Sequence, residues 1–365
     1  MKNTFGTNVS VTLFGESHGN TIGAVLDGLA PGIRVDEDFI RFQLSLRRPA
    51  GHVSTGRVEP DAFQLVSGVK DGCTTGAPIC VLIPNEKQNS ADYESEEFLP
   101  RPGHADLTAF YKYHGFEDRR GGGHFSGRLT APLVAVGAIA VFALRQKDVL
   151  IGTHLKRCAG IVDRVFMNEL EDIETLNEKA FAVLDENACE KMIAAIEAAA
   201  EEGDSVGGVL ETAVCGLPAG VGEPWFDSVE SMLSHVLFSI PAVKGVEFGD
   251  GFLICDKKGS EANDGMRLNG DTLTFLSNHN GGVLGGITTG NTLKFCTAIK
   301  PTPSIFKEQY TVDLTKCENA ALLLKGRHDP AIAHRARVVV DSVTALALCD
   351  LLSIRYGTDW LKGDV

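Results

Sequence analysis

An uninterrupted apolar run at residues 131–144 constrains the fold of this chain more than any other feature. Arg128 and Arg145 bound the run, which is too short to cross a bilayer and is typical of a buried core helix. Its small residues allow neighbouring elements to pack closely against it, among them Ala131, Ala135, Gly137, Ala138 and Ala140. We therefore expect a helix over residues 129–147 at the centre of the fold.

The remaining patterns predict strands and helices in mixed order, without internal repeats or a clear linker. Alternating or apolar runs predict strands at residues 9–14, 21–26, 81–83, 205–215 and 246–255. Helical spacing predicts helices at residues 36–46, 187–202 and 338–352, and the acidic stretch 85–97 is interpreted as a solvated loop. No strand leads into a GxGxxG turn or a P-loop. We expect one domain over residues 1–365, with an α+β fold of antiparallel sheets.

The charge and the cysteine content exclude several classes of protein. A net charge of −14 over 365 residues argues against binding to nucleic acid or to an anionic membrane surface. An anionic small molecule remains acceptable if arginines gather locally. The chain has 9 cysteines without a CxxC pair, so neither a disulfide framework nor a structural zinc site is expected. The first residues lack the apolar core of a signal peptide, and we expect a cytoplasmic protein.

Three separate loops place histidine beside glycine or proline. They are GESHG at residues 15–19, RPGHAD at 101–106 and GRHDP at 326–330. A single histidine in a glycine turn is most often only a turn residue. Three such loops, with arginine and aspartate beside two of the histidines, indicate one assembled site in which a histidine moves a proton near neutral pH.

Arginines near these loops indicate an anionic ligand. Arg47 and Arg48 end the first predicted helix, and GGGHFSGR at residues 121–128 leads into the central helix. That loop offers backbone N–H groups and a helix N-terminus to an anion. A lone arginine is usually a surface ion pair, but a set of them suits a ligand with phosphate and carboxylate groups. The glycine loop at 277–286 and KPTPS at 300–304 suit a phosphate or the polar edge of a cofactor.

Read in order, the motifs form one series. FGESHG, RPGHAD, GGGHFSGRLTA, GVEFGDGF, SNHNGGVLGGITTG, KPTPSI and KGRHDP follow one another between Phe14 and Asp341. This series closely resembles chorismate synthase. The resemblance implies conversion of 5-enolpyruvylshikimate 3-phosphate to chorismate and phosphate with reduced FMN. It also implies a sandwich of antiparallel sheets around a central layer of helices, and a homotetramer. Some members of the family reduce their flavin with NADPH and others depend on an external flavin reductase, so both alternatives stay open.

The resemblance also implies roles for individual residues. His18 would protonate or stabilise the reduced flavin, His104 would assist phosphate departure, and Asp329 with Ser17 would relay the proton lost from the substrate through flavin N5. The implied substrate-binding residues are Arg47, Arg48, Arg128, Arg327 and Arg335. The implied cofactor-binding residues are His124, Phe125, Ser126, Pro241, Ala242, Gly285, Lys300, Pro301, Thr302, Pro303, Ser304 and Arg327. No metal is expected.

The chain departs from the family pattern near the anion-binding loops. His124 stands where the family usually has arginine, and an arginine expected near His52 is missing. Phe125, Pro241 and Asp341 also replace the usual residues. The remaining set, including Ser17, His18, His104, Arg128, Arg327 and Asp329, is complete. We therefore expect activity, with flavin and substrate affinity sensitive to the departures.

Two other classes of function stay open at this stage. A metal-dependent phosphate hydrolase could be built from His18, His104, His114, His124 and Asp106, although no HxH or HxxxH spacing supports a metal site. A family member that binds flavin or an anion without turnover is the second alternative. Chelation would inactivate the hydrolase, and flavin binding without product would identify the inactive relative.

Overall fold

Two five-stranded sheets enclose a layer of helices in the computed structural model, which describes residues 2–48, 60–85, 98–324 and 328–362. In these residues the strands are β1 Thr4–Phe5, β2 Ser10–Phe14, β3 Thr21–Asp27, β4 Gln64–Ser67, β5 Val69–Lys70, β6 Cys73–Thr74, β7 Ile79–Pro84, β8 Leu150–Cys158, β9 Ile161–Val162, β10 Gly208–Cys215, β11 Val243–Phe248, β12 Met266–Asn269, β13 Thr272–Phe275, β14 Val283–Leu284, β15 Ile287–Thr288, β16 Leu293–Ile299, β17 Gln309–Asp313 and β18 Glu318–Leu322. The helices are α1 Glu37–Arg47, α2 Asp106–Tyr113, α3 Thr130–Arg145, α4 Glu169–Glu178, α5 Glu186–Glu201, α6 Val229–Leu237, α7 Gly259–Ala262 and α8 Ala333–Tyr356. Short 3-10 helices span Arg120–Phe125, Gly127–Leu129, Gly251–Asp256 and Thr358–Leu361.

The two large sheets are antiparallel throughout. The first has the strand order β1-β2-β3-β7-β4, and the second has the order β11-β16-β10-β8-β9. Helix α3 packs against β3 and β7 of the first sheet, while α8 packs against β8 and β10 of the second. Because α3 and α8 also pack on each other, they form the middle layer of a sandwich. The predicted α+β fold is confirmed.

Helix α3 is the central element, as its composition predicts. Of its residues, only Phe142 and Arg145 are not buried. A Cβ atom on Gly137 would lie 2.4 Å from Cβ of Ser342, so glycine allows α3 and α8 to cross closely. The stretch Gly127–Arg145 has the length and hydropathy of a membrane span, but 83% of its most apolar window is buried inside the protein. That burial supports the interpretation as a core helix.

The sequence-based boundaries fail at two elements. The strand predicted at residues 246–255 is wrong beyond Phe248, because Gly249 and Gly251 have φ of 56° and 55° and turn the chain into a 3-10 helix. The C-terminal helix begins at Ala333 rather than at Val338. Its first turns carry polar side chains that hide the apolar pattern, although Arg337 among them is buried and donates to the Lys179 carbonyl at 2.6 Å.

Candidate active site

The GESHG turn joins β2 to β3 and packs against the glycine loop at residues 121–123. The backbone N–H of Ser17 donates to the Gly123 carbonyl at 3.0 Å. A Cβ atom on Gly121 would lie 2.2 Å from Cε1 of His18 and 2.8 Å from Oγ of Ser17, so a side chain does not fit there. His18 is only 6% exposed. The glycine loop therefore covers the two side chains that the sequence singles out at this turn.

His124 secures the same contact from the other side of the loop. Its Nδ1 atom lies 2.8 Å from the Gly15 carbonyl oxygen, and because that oxygen can only accept, Nδ1 carries a proton. Phe125 is half exposed and contacts Tyr113 edge-on, while Oγ of Ser126 accepts from the backbone N–H of Arg128 at 3.3 Å. His124 thus fastens the glycine loop to the GESHG turn.

His104 is held by residues distant in the chain. Its Nε2 atom lies 2.8 Å from Oγ of the buried Ser304, and its Nδ1 atom lies 3.2 Å from the Pro102 carbonyl oxygen. Nζ of Lys300 donates to the Gly103 carbonyl. The structure therefore brings together the predicted catalytic histidine of the second loop and the predicted cofactor-binding segment at residues 300–304.

The surroundings of His104 keep its imidazole neutral in the ligand-free protein. Burial lowers the pKa of His104 to about 4, and the positive charges of Arg101 and Lys300 act in the same direction. Arg101 in turn forms a two-fold ion pair with Asp106, at 2.7 and 2.8 Å. Protonation of His104 therefore needs an added negative charge, which an anionic ligand brings.

The glycine loop also reaches the second histidine loop. A Cβ atom on Gly122 would lie 3.9 Å from Nη2 of Arg101, and the neighbouring Gly121 covers His18. All three glycines at 121–123 have positive φ, which lets the backbone pass close to both loops. The sequence-based prediction that GESHG and RPGHAD belong to one site agrees with this arrangement.

A buried carboxylate, Asp61, collects the predicted substrate-binding arginines of α1 and of the glycine loop. Oδ2 accepts from Nη2 of Arg47 at 2.9 Å, and Oδ1 accepts from Nη1 of Arg128. Nε of Arg48 lies 3.9 Å from Oδ2. Burial opposes ionisation of Asp61, but Arg47 and Arg128 outweigh it, so the pKa of this carboxyl is lowered. Asp61 is a site residue that the motif analysis misses.

Arg335 extends the cluster from the first turn of α8. Its Nη1 atom lies 2.5 Å from Oδ2 of Asp329, and its Nε atom donates to the Arg47 carbonyl at 2.8 Å. Burial lowers the pKa of Arg47, and the charges of Arg128 and Arg335 contribute to that shift. The structure thus places the predicted catalytic Asp329 within the arginine cluster. Arg327 and His52 lie outside the described residues.

Asn85, which the sequence assigned to a solvated loop, links the two parts of the site. Its Nδ2 atom donates to the carbonyls of Gly19 and Glu16 at 2.8 and 3.2 Å. Its Oδ1 atom accepts from Nε of Arg128 at 3.2 Å. The interpretation of position 85 as an ordinary surface residue is wrong, and residues 86–97 of that stretch lie outside the described residues. The only sign of this role in the sequence is that an asparagine directly follows a buried strand.

Apart from His124, Phe125 and Ser126 in the glycine loop and Arg327, the predicted cofactor-binding residues fall into two groups. Around β16, the backbone N–H of Lys300 donates to the Ala242 carbonyl at 3.0 Å, and the Thr302 carbonyl accepts from Oγ of Ser205 at 2.6 Å. The remaining residues of this group are Pro241, which is exposed, and Pro301, Pro303 and Ser304. Gly285 instead lines a surface groove with Trp225. Strand β11 connects the two groups, because it follows Ala242 and its residue Val246 lines the groove. Both groups therefore lie on the side of the second sheet.

The alternative function of a metal-dependent hydrolase requires a set of metal-binding side chains, and residues 2–48, 60–85, 98–324 and 328–362 contain none. No group of three or more histidine, cysteine, aspartate and glutamate side chains there is arranged to hold a metal ion. His124 and His104 are instead committed to Gly15 and Ser304 through hydrogen bonds.

The chain is similar to known proteins over nearly its whole length. The family model described as chorismate synthase matches residues 9–353. The chain is 44% identical to chorismate synthase of Pyrococcus abyssi over 350 residues, covering 96% of this chain and 97% of that protein. It is 42% identical to chorismate synthase of Aeropyrum pernix over 364 residues, covering 99% and 96%. A crystal structure of chorismate synthase superimposes with a TM-score of 0.74 at 26% identity, covering 96% of this chain and 94% of that one. The chain belongs to the chorismate synthase family.

Proposed function

We propose that this protein converts 5-enolpyruvylshikimate 3-phosphate to chorismate and inorganic phosphate. In this 1,4-elimination the bond from a ring carbon to the phosphate oxygen breaks, and phosphate leaves with the electron pair. A ring C–H bond also breaks, and the ring gains a second double bond. One molecule of substrate gives one molecule each of chorismate and phosphate and one proton, with no net oxidation.

The observation that carries the proposal is the clustering of arginines around the carboxylates of Asp61 and Asp329. Four guanidinium groups, those of Arg47, Arg48, Arg128 and Arg335, face the two carboxylates of Asp61 and Asp329. Within the described part of the chain, the Nε atoms of Arg47 and Arg48 are shielded from solvent and have no hydrogen-bond acceptor. Buried donors of this kind favour an anionic partner. A substrate with one phosphate and two carboxylates supplies it.

We propose reduced FMN as the cofactor, held near residues 300–304. Lys300 offers an ammonium group there, and Oγ1 of Thr302 is shielded from solvent without a hydrogen-bond partner among the described residues. These groups fit a phosphate or a ribityl hydroxyl. When bound, the reduced flavin would supply electron density to the substrate as phosphate leaves and recover it as the ring hydrogen is lost.

The protein itself manages protons and charge in this scheme. His104 donates a proton to the departing phosphate once bound anions have raised its affinity for that proton. His18, buried under the glycine loop, supplies a proton or a hydrogen bond on the flavin side. Asp329, assisted by Ser17, would take up the proton lost from the ring. The anionic groups of the substrate are held by Arg47, Arg48, Arg128 and Arg335. Arg327, which lies outside the described residues, is expected to assist them.

We also propose a cytoplasmic homotetramer whose flavin is reduced with NADPH or by an external flavin reductase. All nine cysteines are free thiols, which supports a reducing compartment. Large apolar side chains at the surface support association of subunits, among them Trp225 and Phe226, which are 84% and 90% exposed.

The test is an anaerobic assay of the purified protein with photoreduced FMN and 5-enolpyruvylshikimate 3-phosphate. Chorismate absorbance and released phosphate are followed together, with oxidised FMN as the control. We expect both products in equal amounts, and none with oxidised FMN. Phosphate without chorismate would favour a hydrolase. Flavin binding without either product would identify an inactive relative.

A further inference from the structure

Asn85 follows the last residue of β7 and reaches two parts of the site that lie far apart in the chain. Its backbone N–H donates to the Asn20 carbonyl at 3.1 Å, which places the residue beside the end of the GESHG turn. Its side chain then contacts that turn on one side and Arg128 on the other. Asn85 therefore stands between a histidine turn and an arginine of the anion-binding cluster.

The hydrogen bonds fix the orientation of the Asn85 amide. The Gly19 and Glu16 carbonyl oxygens can only accept, so the atom that faces them at 2.8 and 3.2 Å is the NH2 nitrogen. Nε of Arg128 can only donate, so the atom that faces it at 3.2 Å is the amide oxygen. Both amide protons and one acceptor position are thus used.

This arrangement constrains both partners. The carbonyls of Glu16 and Gly19 flank Ser17 and His18, so the amide fixes the backbone on either side of those two residues. Arg128 is held at Nε by Asn85 and at Nη1 by Asp61. A single planar group therefore sets the position of the His18 turn relative to the Arg128 guanidinium.

We propose that Asn85 is a positioning residue that aligns the Ser17–His18 turn with Arg128, so that the proton-handling and anion-binding groups engage the same substrate. This proposal rests on the proposed function. No other residue type keeps the three contacts. Aspartate has the same shape but cannot donate, and its charge would repel the two carbonyls and compete with the substrate for Arg128. Glutamine keeps the amide but adds a methylene.

The experiment compares Asn85→Asp and Asn85→Gln with the wild type. The matched control is Asn177→Asp, because Nδ2 of Asn177 donates to the Ile151 carbonyl at 3.0 Å on α4, against the second sheet. For each protein we would measure kcat and KM in the anaerobic assay, the thermal midpoint, and the Kd of 5-enolpyruvylshikimate 3-phosphate by calorimetry without flavin.

We expect Asn85→Asp to raise Kd and KM about tenfold or more and to lower kcat by a similar factor, as for loss of hydrogen bonds to a charged group. Asn85→Gln should recover part of both, and Asn177→Asp should match the wild type in kcat and Kd. A purely structural role would lower the thermal midpoint and the active fraction while leaving KM and Kd unchanged, and that result would overturn the proposal.

The proposed function and the role of Asn85 can be refuted separately. A wild type that binds the substrate but forms no chorismate would refute the proposed function, and the Kd of Asn85→Asp would still test the alignment. If Asn85→Asp had the Kd and kcat of the wild type, only the proposed role of Asn85 would be refuted. Absence of substrate binding in the wild type would refute both.

Discussion

Oγ of Ser304 lies 2.8 Å from Nε2 of His104, although 200 residues separate them in the chain. On its other side, Nδ1 of His104 faces the Pro102 carbonyl oxygen at 3.2 Å. Because that oxygen only accepts, neutral His104 carries its proton on Nδ1 and accepts from the Ser304 hydroxyl. Ser304 therefore orients the imidazole edge that must gain a proton before His104 can act as an acid.

The first prediction concerns His104. His104→Ala should leave FMN binding intact and lower turnover by about two orders of magnitude or more, the scale of a lost proton donor. Ser304→Ala should cost less, because it removes an orienting hydrogen bond and leaves the imidazole. Flavin titration and anaerobic turnover measure the two effects. An unchanged rate in His104→Ala would remove this residue from the mechanism.

The second prediction concerns Asp61, whose carboxylate lies between Arg47 and Arg128. In Asp61→Asn the amide NH2 faces one of the two guanidinium groups, so the arginines lose a common partner and repel each other. We expect KM for the substrate to rise about tenfold or more, with little change in the Kd of FMN. Asp71→Asn is the control, because Asp71 has a similar φ (51° against 47°) and is exposed. Equal KM values in the two variants would contradict a role for Asp61.

The sequence predicts the parts of this molecule that depend on local patterns. The apolar run at 131–144 predicts a buried helix because periodicity and composition act within one element. The histidine and arginine loops are visible because glycine and proline mark their turns. The fold class follows from the lack of dinucleotide-type turns and from antiparallel strand patterns, and the structure agrees with it.

Residues whose partners lie far away in the chain cannot be predicted from a local sequence pattern. Asp61 meets arginines 14 and 67 positions away in the chain, and Asn85 bonds to carbonyls 66 and 69 positions away. Neither has a neighbouring motif, because its partners come from segments that are far apart in the chain and meet only in the folded protein. The same limit explains Asp350, whose partners lie at the other end of the chain.

The third prediction concerns that carboxylate. Asp350 is fully buried in α8 and accepts from the backbone N–H groups of Thr7, Asn8 and Val9 at 2.9, 2.7 and 2.9 Å. These residues precede β2, which leads to the GESHG turn. Asp350→Ala should lower the free energy of unfolding by about 2–4 kcal/mol, because three backbone donors, the buried N–H of Val9 among them, lose their carboxylate acceptor. Asp350→Asn should cost less, since one acceptor oxygen remains.

Urea denaturation checks this prediction. Asp359→Asn, at an exposed carboxylate near the same end of the chain, is the control and should change the free energy of unfolding by less than about 0.5 kcal/mol. A midpoint for Asp350→Ala close to that of the control would show that the N-terminal segment is held by packing alone.

The fourth prediction uses the pH dependence of stability. His334 is 4% exposed in the first turn of α8 and stacks on Phe181 with ring centroids 5.3 Å apart. Burial lowers the pKa of His334 to about 4, and the charge of Arg335 acts in the same direction. The unfolded chain binds a proton at this residue near pH 6.5, before the folded protein does. Its contribution to stability is therefore present above pH 6.5 and is lost as the pH falls toward 4.

His334→Gln removes this titration. Between pH 8 and pH 5 the wild type should lose roughly 2 kcal/mol more of its free energy of unfolding than the variant does. At pH 8 both side chains are neutral, so the difference measured there reports the contacts of the neutral side chain, including its packing against Phe181, and serves as the internal control. Denaturation at the two pH values gives the comparison. Parallel losses in the two proteins would mean that His334 takes up its proton equally in the folded and unfolded states, and that burial at the start of α8 carries no acid sensitivity.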